Sequence, residues 1–274
     1  MIVLIIINFH SKSQTLNCIK EMKGFDNIYT VVVDNSNDFS NDADICRKKN
    51  VKIITPNRNL GYSGGSNYGI DYSKKYLGYE YFLIMNPDVL IKKQAIIKMQ
   101  KILEILPMKS LLSCATIYAS ENCNNRQKYN CLKVYGLRTK FIDVKQSLLR
   151  TDIFNGCLFM GRLSEVPTKI FDEKLFMYFE ELDFCLSNTD FNCYFTNDVQ
   201  CIRSNNPAER NSLAVYYTVK NAIFLYKKHS QVSVLHCIEL MMILLMRSLK
   251  YLIVMGNLKM LKEFFRGLRT WFRN

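Results

Sequence analysis

The stretch Tyr81-Phe82-Leu83-Ile84-Met85-Asn86-Pro87-Asp88-Val89 decides how this chain is read. Its run of apolar and aromatic residues predicts a buried strand, and Asn-Pro-Asp ends it abruptly. In an open α/β sheet, ligands sit outside the carboxyl ends of the strands, so a carboxylate at this point faces a crevice. Asp88 is therefore placed to hold a hard cation, and a divalent metal there can neutralise a diphosphate leaving group. A simple turn is the plainer alternative, since Asn, Pro and Asp all favour turns. Three other segments point at the same crevice.

Upstream, Ile2 to Ile7 is a continuous β-branched run, as expected of a strand covered on both faces. It ends at Asn8-Phe9-His10-Ser11, and a helix is predicted through Leu16, Ile19 and Met22. Tyr29 to Val33 repeats the pattern and ends in Asp34-Asn35-Ser36-Asn37-Asp38. Val51 to Ile54 makes a third strand, ending in Pro56-Asn57-Arg58-Asn59. Strands alternating with helices indicate parallel βαβ units, and each strand delivers polar residues at its carboxyl end. Downstream, a helical period from Ile91 to Leu106 stops at Pro107. Residues 110–150 are mixed and give no ordered set of elements. Asp152 to Met160 predicts another strand, Phe171 to Leu186 carries an acidic cluster, and the chain is helical beyond Asn211.

The bulk numbers set the class. In 274 residues, 49% hydrophobic and 22% charged content fit a globular protein, and a large core can be buried. A net charge of +13 implies an anionic partner, whether nucleic acid, acidic lipid or a phosphate-bearing substrate. Ten cysteines occur without a CxxC pair or a Cys/His ligand cluster. Met1 to Ile7 is too short for a secretory signal and lacks a basic leader, so the cysteines are expected to be reduced core fillers in the cytosol.

Two further segments carry chemistry. Asn59-Leu60-Gly61-Tyr62-Ser63-Gly64-Gly65-Ser66-Asn67-Tyr68-Gly69 lets backbone amides approach an anion, with a helix N-terminus behind them. It is neither a Walker loop nor GxGxxG, and a structural role is equally open. Asp34 could accept from a nucleobase or a ribose hydroxyl, or it could close an Asx-turn. Phe176-Met177-Tyr178-Phe179-Glu180-Glu181-Leu182-Asp183-Phe184 sets three carboxylates among large apolar side chains. Such surroundings disfavour the charged form and make a better base, although acids also favour a helix N-terminus.

Taken in order, these segments resemble the family-two glycosyltransferases, in particular the rhamnosyltransferase-like branch of bacterial surface-polysaccharide synthesis. Matching residues are Ile6 to His10, Val32 to Ser36, Asn59 to Gly69, Met85 to Val89, Phe154-Asn155-Gly156, Phe176 to Asp183 and Tyr216 to Asn221, over roughly residues 2 to 226. The resemblance implies a GT-A fold, a mostly parallel α/β sheet flanked by helices. It also implies a nucleotide-sugar donor, a divalent cation (Mn²⁺ or Mg²⁺) and inversion at the anomeric carbon. By position Asp34 reads the base, while Asn8, Asn59, Gly61, Gly64, Asn67, Asn86 and Asp183 bind the nucleotide-sugar. Asp88 is the metal ligand, and Glu181, with Glu180 beside it, takes the place of the base. Two departures stand out: no His follows the acidic motif in Val199-Gln200-Cys201-Ile202-Arg203, and Lys220-Asn221 replaces Arg-Asn. Arg203 could then neutralise phosphate directly, and Lys220 lacks the guanidinium fork.

Val232 to Val254 is apolar, but His236, Glu239, Arg247 and Lys250 interrupt it, so it is not expected to span a bilayer. From Asn257 to Arg273 apolar and basic residues alternate at helical spacing, with Leu258, Leu261, Phe265, Leu268 and Phe272 on one side. Lys259, Lys262, Arg266, Arg269, Trp271 and Arg273 would meet an anionic membrane, or the helix would pack on the domain or on a second copy, as in a homodimer. No nucleic-acid module is visible. The expected organisation is a glycosyltransferase domain over 1–226, split at 100 into donor and acceptor halves, with a membrane-associating tail over 227–274. The expected activity is that of an inverting, metal-dependent hexosyltransferase at the cytosolic membrane face. It would extend a lipid-linked saccharide for surface polysaccharide such as O-antigen or capsule. A nucleotidyltransferase, or a nucleotide-binding module without turnover, are the alternatives.

Overall fold

The structure is a computed structural model describing residues 1–24, 26–40, 49–118, 127–129, 132–142, 145–204 and 212–272. Strands β1 (Ile2–Asn8), β2 (Ile28–Asp34), β3 (Val51–Ile54) and β4 (Tyr81–Met85) lie parallel in the order β3-β2-β1-β4. Their register places Asn8 opposite Asp34 and Ile6 opposite Met85, so the polar residues after each strand meet along one edge. Every residue of β1 and β4 is buried, as their unbroken apolar runs require. Alternate side chains serve opposite faces: Ile2, Leu4 and Ile6 pack with Ile96, Met99 and Leu103, while Val3, Ile5 and Ile7 pack with Ile70 and Phe159. Ile96, Met99 and Leu103 come from helix α3 (Lys93–Ile105) on one side and Ile70 from helix α2 (Gly61–Tyr76) on the other; α1 (Lys12–Glu21) joins the first.

Beyond β4 the sheet continues through β11 (Leu158–Arg162), β6 (Ser110–Tyr118), β12 (Asn192–Arg203) and β10 (Leu148–Thr151). β11 runs antiparallel to both its neighbours, whereas β12 is parallel to β6. The mixed region resolves into β6, β7 (Gln127–Tyr129), β10 and a separate hairpin of β8 (Leu132–Tyr135) and β9 (Arg138–Phe141). One difference from expectation matters for function. The strand predicted from Asp152 begins only at Leu158. Asn155 breaks it: its backbone N–H donates to Ser113 Oγ at 2.9 Å, and its side-chain oxygen accepts from the Cys157 N–H at 3.1 Å. Phe154-Asn155-Gly156 is therefore a turn across the strand tips. The seven cysteines among the described residues are all free.

Helices α4 (Glu180–Ser187), α5 (Ser212–Lys228), α6 (Val234–Met255) and α7 (Lys259–Leu268) complete the chain, with a 3₁₀ turn at Arg269–Phe272. Leu182, Val219, Leu240 and Phe264 share one core, so the C-terminal helices are built onto the domain. The opposite side of α7 from the expected membrane face packs on α5, while Leu258, Phe265 and Phe272 of that expected face stay exposed. Gly267 lies against Val219, Phe264 is buried, and Trp271 stacks on Tyr226 at 5.5 Å with rings 13° apart. The Arg266 guanidinium lies 3.9 Å from the Tyr216 ring centre. Trp271 and Leu268 therefore serve protein packing, because α5 offers a matching aromatic surface, whereas Lys259, Lys262, Arg266 and Arg269 remain exposed. Arg273 lies outside the described residues. Among the described residues no helix is long and apolar enough to cross a membrane.

Candidate active site

At the tips of β1 and β2 the expected base-reading carboxylate is fully buried. Asp34 Oδ1 accepts from the Asn8 side-chain amide at 2.9 Å and from the Ser36 N–H at 3.3 Å; Oδ2 accepts from the Phe39 N–H at 2.9 Å. Asn8 also donates to Asp38 Oδ2 at 3.0 Å and accepts from Thr15 Oγ1 at 2.9 Å. Asn8 and Asp34 thus shape the loop at the strand tips. Asp38, which sequence reasoning passed over, is the part-exposed carboxylate there, 3.6 Å from His10.

The Gly-rich element is likewise a piece of construction. Asn59 caps the amide of Gly61 at 2.8 Å, and Asn35 holds the Gly61 carbonyl at 3.0 Å. Gly61 has φ +69°, and a Cβ on it would meet the Phe176 carbonyl at 2.3 Å, so only glycine allows this approach. Asn67 exchanges bonds with the Phe171 backbone at 2.9 and 3.0 Å. Gly64 and Asn67 line a cavity of about 600 Å³ with Asn57 and Arg58. None of Asp34, Asp88 and Glu181 lines it, so size alone does not make it the reacting site.

After β4, the Asn86 N–H donates to the Cys157 carbonyl at 3.0 Å, tying the Asn-Pro-Asp turn to the Phe154-Asn155-Gly156 turn. Asp88 is 7% exposed, and its Oδ2 accepts from Arg203 Nε at 2.7 Å. The contact is fixed by backbone: β5 (Val89–Leu90) pairs with β12 so that Arg203 stands opposite Val89, and the Ser204 N–H donates to the Asp88 carbonyl at 2.9 Å. For a divalent cation, Asp88 would be the carboxylate ligand and Asn86 its neutral neighbour. Asp88 is already engaged by a guanidinium, and among the described residues no three His, Cys, Asp or Glu side chains gather as a ligand set. At a phosphate site one or two carboxylates with the substrate's own oxygens would hold such an ion, so ligand number does not decide the fit; what stands against a metal is the guanidinium already bonded to Asp88 Oδ2.

The acidic cluster is presented by a strained loop. Phe176, Tyr178 and Phe179 hold φ of 67°, 69° and 71°, a region that each non-glycine residue occupies at a cost of order 1 kcal/mol. The buried Asn221 amide secures them, donating to the carbonyls of Leu175, Met177 and Tyr178 at 3.0, 2.7 and 2.9 Å. Phe176 also stacks on Tyr217 at 5.1 Å. Glu180 is 5% exposed with Oε2 unpartnered among the described residues, and burial, then the charge of Glu181, pushes its carboxyl well above the usual range. Glu181 is half-buried, and burial raises it to about 7 against the pull of a backbone amide and of Arg203. Its carboxylate lies on Gly156, where a Cβ would fall 1.5 Å from Oε1. Asp183 does not join this group: it is held by His229 and Lys228, each at 2.8 Å.

Asn86 is thus bonded to Cys157 while Glu181 lies on the adjacent Gly156, and Arg203, bonded to Asp88, is near enough to shift the titration of Glu181. Glu181 also lines a cavity of about 310 Å³ with Arg138, Tyr178, Phe179, Thr218, Leu240 and Arg247. A raised carboxyl at the mouth of a cavity, with a cation and a turn at its back, can take a proton from a hydroxyl while negative charge leaves on the other side. Sequence reasoning missed Asn221 as the clamp, although its position after a Tyr-rich helical stretch had drawn it in by resemblance.

Comparison with known proteins adds to this geometry. A family model described as Glycosyl transferase family 2 matches residues 3–164, more than half of the chain. The low-salt glycan biosynthesis hexosyltransferase Agl10 of Haloferax volcanii is 28% identical over 187 residues, covering 66% of this chain and 59% of that protein. The chain thus spans less than two thirds of this relative. A crystal structure of S. aureus TarS 1–349 superposes with a TM-score of 0.53 at 15% identity, over 86% of this chain and 68% of that one. The same protein in complex with UDP-GlcNAc gives 0.50 at 13% identity, over 86% and 69%. At such identity the likeness concerns the fold.

Proposed function

Because the chain belongs to glycosyl transferase family 2, we propose that it moves a hexosyl group from a nucleoside-diphosphate sugar to a hydroxyl of a saccharide acceptor during glycan assembly. The observation that carries this reading is that one turn, Gly156-Cys157, is bonded to the Asn86-Pro87-Asp88 turn through Cys157 and lies against Glu181 through Gly156. The acceptor hydroxyl approaches from the cavity that Glu181 lines, and Glu181 takes its proton as the oxygen attacks the anomeric carbon. On the opposite side the bond from that carbon to the diphosphate breaks, its electron pair leaving with the phosphate oxygen. Attack and departure on opposite faces invert the anomeric centre. The Asp88 end of the cleft serves the departing charge. A hexosyl donor is favoured by the activity named for the archaeal relative, and a nucleotide-sugar by the ligand named for the TarS complex.

A lipid-linked acceptor is supported by the outer face of α6. Leu235, Ile238, Met242, Met246, Leu249 and Ile253 are all exposed and fall within an arc of about 80° at 3.6 residues per turn. The cavity-lining residues Leu240, Ile243 and Arg247 belong to the same helix. Exposed Lys250, Lys259, Lys262 and Arg269 lie on the same C-terminal segment and suit an anionic headgroup layer at the cytosolic face. The test is release of nucleoside diphosphate from UDP-, GDP- and dTDP-hexoses in the presence of lipid-linked and free oligosaccharides. Release with a glycosylated product confirms transfer; pyrophosphate release, or tight nucleotide binding without turnover on any donor, rejects it.

A further inference from the structure

We propose that the guanidinium of Arg203 is the cation that receives the donor's diphosphate, standing where a divalent metal would sit on Asp88, so that donor binding needs no metal. This rests on the nucleotide-sugar reading above. Four observations point the same way. Asp88 is buried to 7% exposure, whereas the Arg203 side chain is 23% exposed, so an incoming phosphate meets the cation before the carboxylate. Nε donates to Asp88 at 2.7 Å and the guanidinium lies 6.0 Å from the Tyr118 ring centre, but the two terminal nitrogens, the ones that grip phosphate in pairs, make no hydrogen bond to a described residue. The placement is built in rather than adopted by a loose side chain, since the Val89 pairing and the Ser204 bonds to the Asp88 carbonyl hold residue 203 from both sides. Arg203 also lies within electrostatic reach of Glu181 while its Nε is bonded to Asp88.

The chemistry balances without a metal. As the anomeric C–O bond breaks, its electron pair passes to the diphosphate oxygen, and the charge-assisted bonds of the guanidinium offset the added charge. The acceptor proton goes to Glu181. Asp88 then becomes a positioning residue that aims the fork. A divalent ion arriving at Asp88 would have to displace a charged partner at 2.7 Å and would be repelled by it.

The full-length chain is titrated calorimetrically with UDP, GDP, dTDP and CDP, once in EDTA and once in excess Mn²⁺. The nucleotide that binds is expected to do so equally in both, within about twofold. In Arg203→Ala its affinity falls at least about tenfold, or about 1.4 kcal/mol. Arg203→His, which returns a metal-type ligand to the same position, is expected to bind weakly in EDTA and to recover with Mn²⁺. Thermal unfolding of each variant checks the fold, since removing one partner of a part-buried pair strands the other. Should Arg203→Ala not fold, the wild-type arms still decide. Wild-type binding that requires Mn²⁺ overturns the role of Arg203 alone. No binding of any diphosphate in either condition overturns the nucleotide-sugar reading, and this proposal with it.

Discussion

Glu180 and Glu181 are neighbours in sequence, yet one points into the interior and the other lines a cavity. Glu181→Gln is expected to lower turnover by about 10²–10⁴-fold, the usual worth of a general base, while Glu180→Gln keeps most of it. Comparable losses in both variants would mean that the roles are misassigned. With Glu181 raised to about 7, kcat should climb with pH through that value, since only the ionised form accepts a proton. Stability moves the other way. A carboxyl that ordinarily titrates at 4.5 keeps its proton in the folded chain up to about 7, so between those values the unfolded chain binds fewer protons and stability falls as pH rises. Glu181→Gln should therefore gain more Tm over wild type at pH 8 than at pH 5, each kcal/mol being worth about 2–4 °C. Equal gains at both would show that the carboxyl is not strained by burial. Asp88 was legible because an apolar run with a strand's length stops at Asn-Pro-Asp. Arg203 was singled out too, but its pairing with Asp88 was not, for that contact closes a loop of 115 positions that no local pattern reports. Asp34 had left two readings open, because Asx-turn and base contact use the same oxygen atoms; here those atoms accept from the Ser36 and Phe39 amides.

The element that presents the acids owes its shape to another element. Three left-handed non-glycine residues precede α4, and the Asn221 amide of α5 gathers the carbonyls between them. Asn221→Ala leaves three buried acceptors short of a donor and releases a strained loop. A loss of roughly 1–3 kcal/mol, and about 10²-fold in kcat/KM from a displaced Glu181, is expected from unfolding curves and kinetics. A variant with unchanged kcat/KM would show that the loop holds its form unaided. The parallel half of the sheet could be read from its strands because buried parallel strands are continuous apolar runs. The later strands could not, because β6, β10 and β12 pair out of sequence order and the Asn155 turn interrupts a pattern that looks unbroken.

Across the whole molecule, the longest bare apolar face of the C-terminal region lies on α6, with Leu258, Phe265 and Phe272 exposed on and beside α7. Periodicity marked the segment from Asn257 as amphipathic; it could not show that Phe264 and Gly267 would meet α5 while Leu258 and Phe265 stayed exposed. We predict that the chain floats with vesicles containing anionic lipid, and that Ile238→Ser with Met246→Ser abolishes flotation without loss of folding. Truncation after Asn257 should instead unfold the domain in part, since Phe264 and Trp271 belong to its core. Flotation unaffected by the serine pair would reject the α6 surface; a dimer that the pair dissolves would assign it to a second copy. The position of α6 between that bare face and the Glu181 cavity has a further consequence. A helix is about 10–12 Å thick, so a chain resting on α6 would carry its base at a fixed height above the bilayer, much like a gauge block. Hydroxyls one or two sugars from the anchoring lipid would fall within reach, and those at the end of a long glycan would overshoot. Acceptor length, more than sugar identity, would then decide which step of assembly this chain performs.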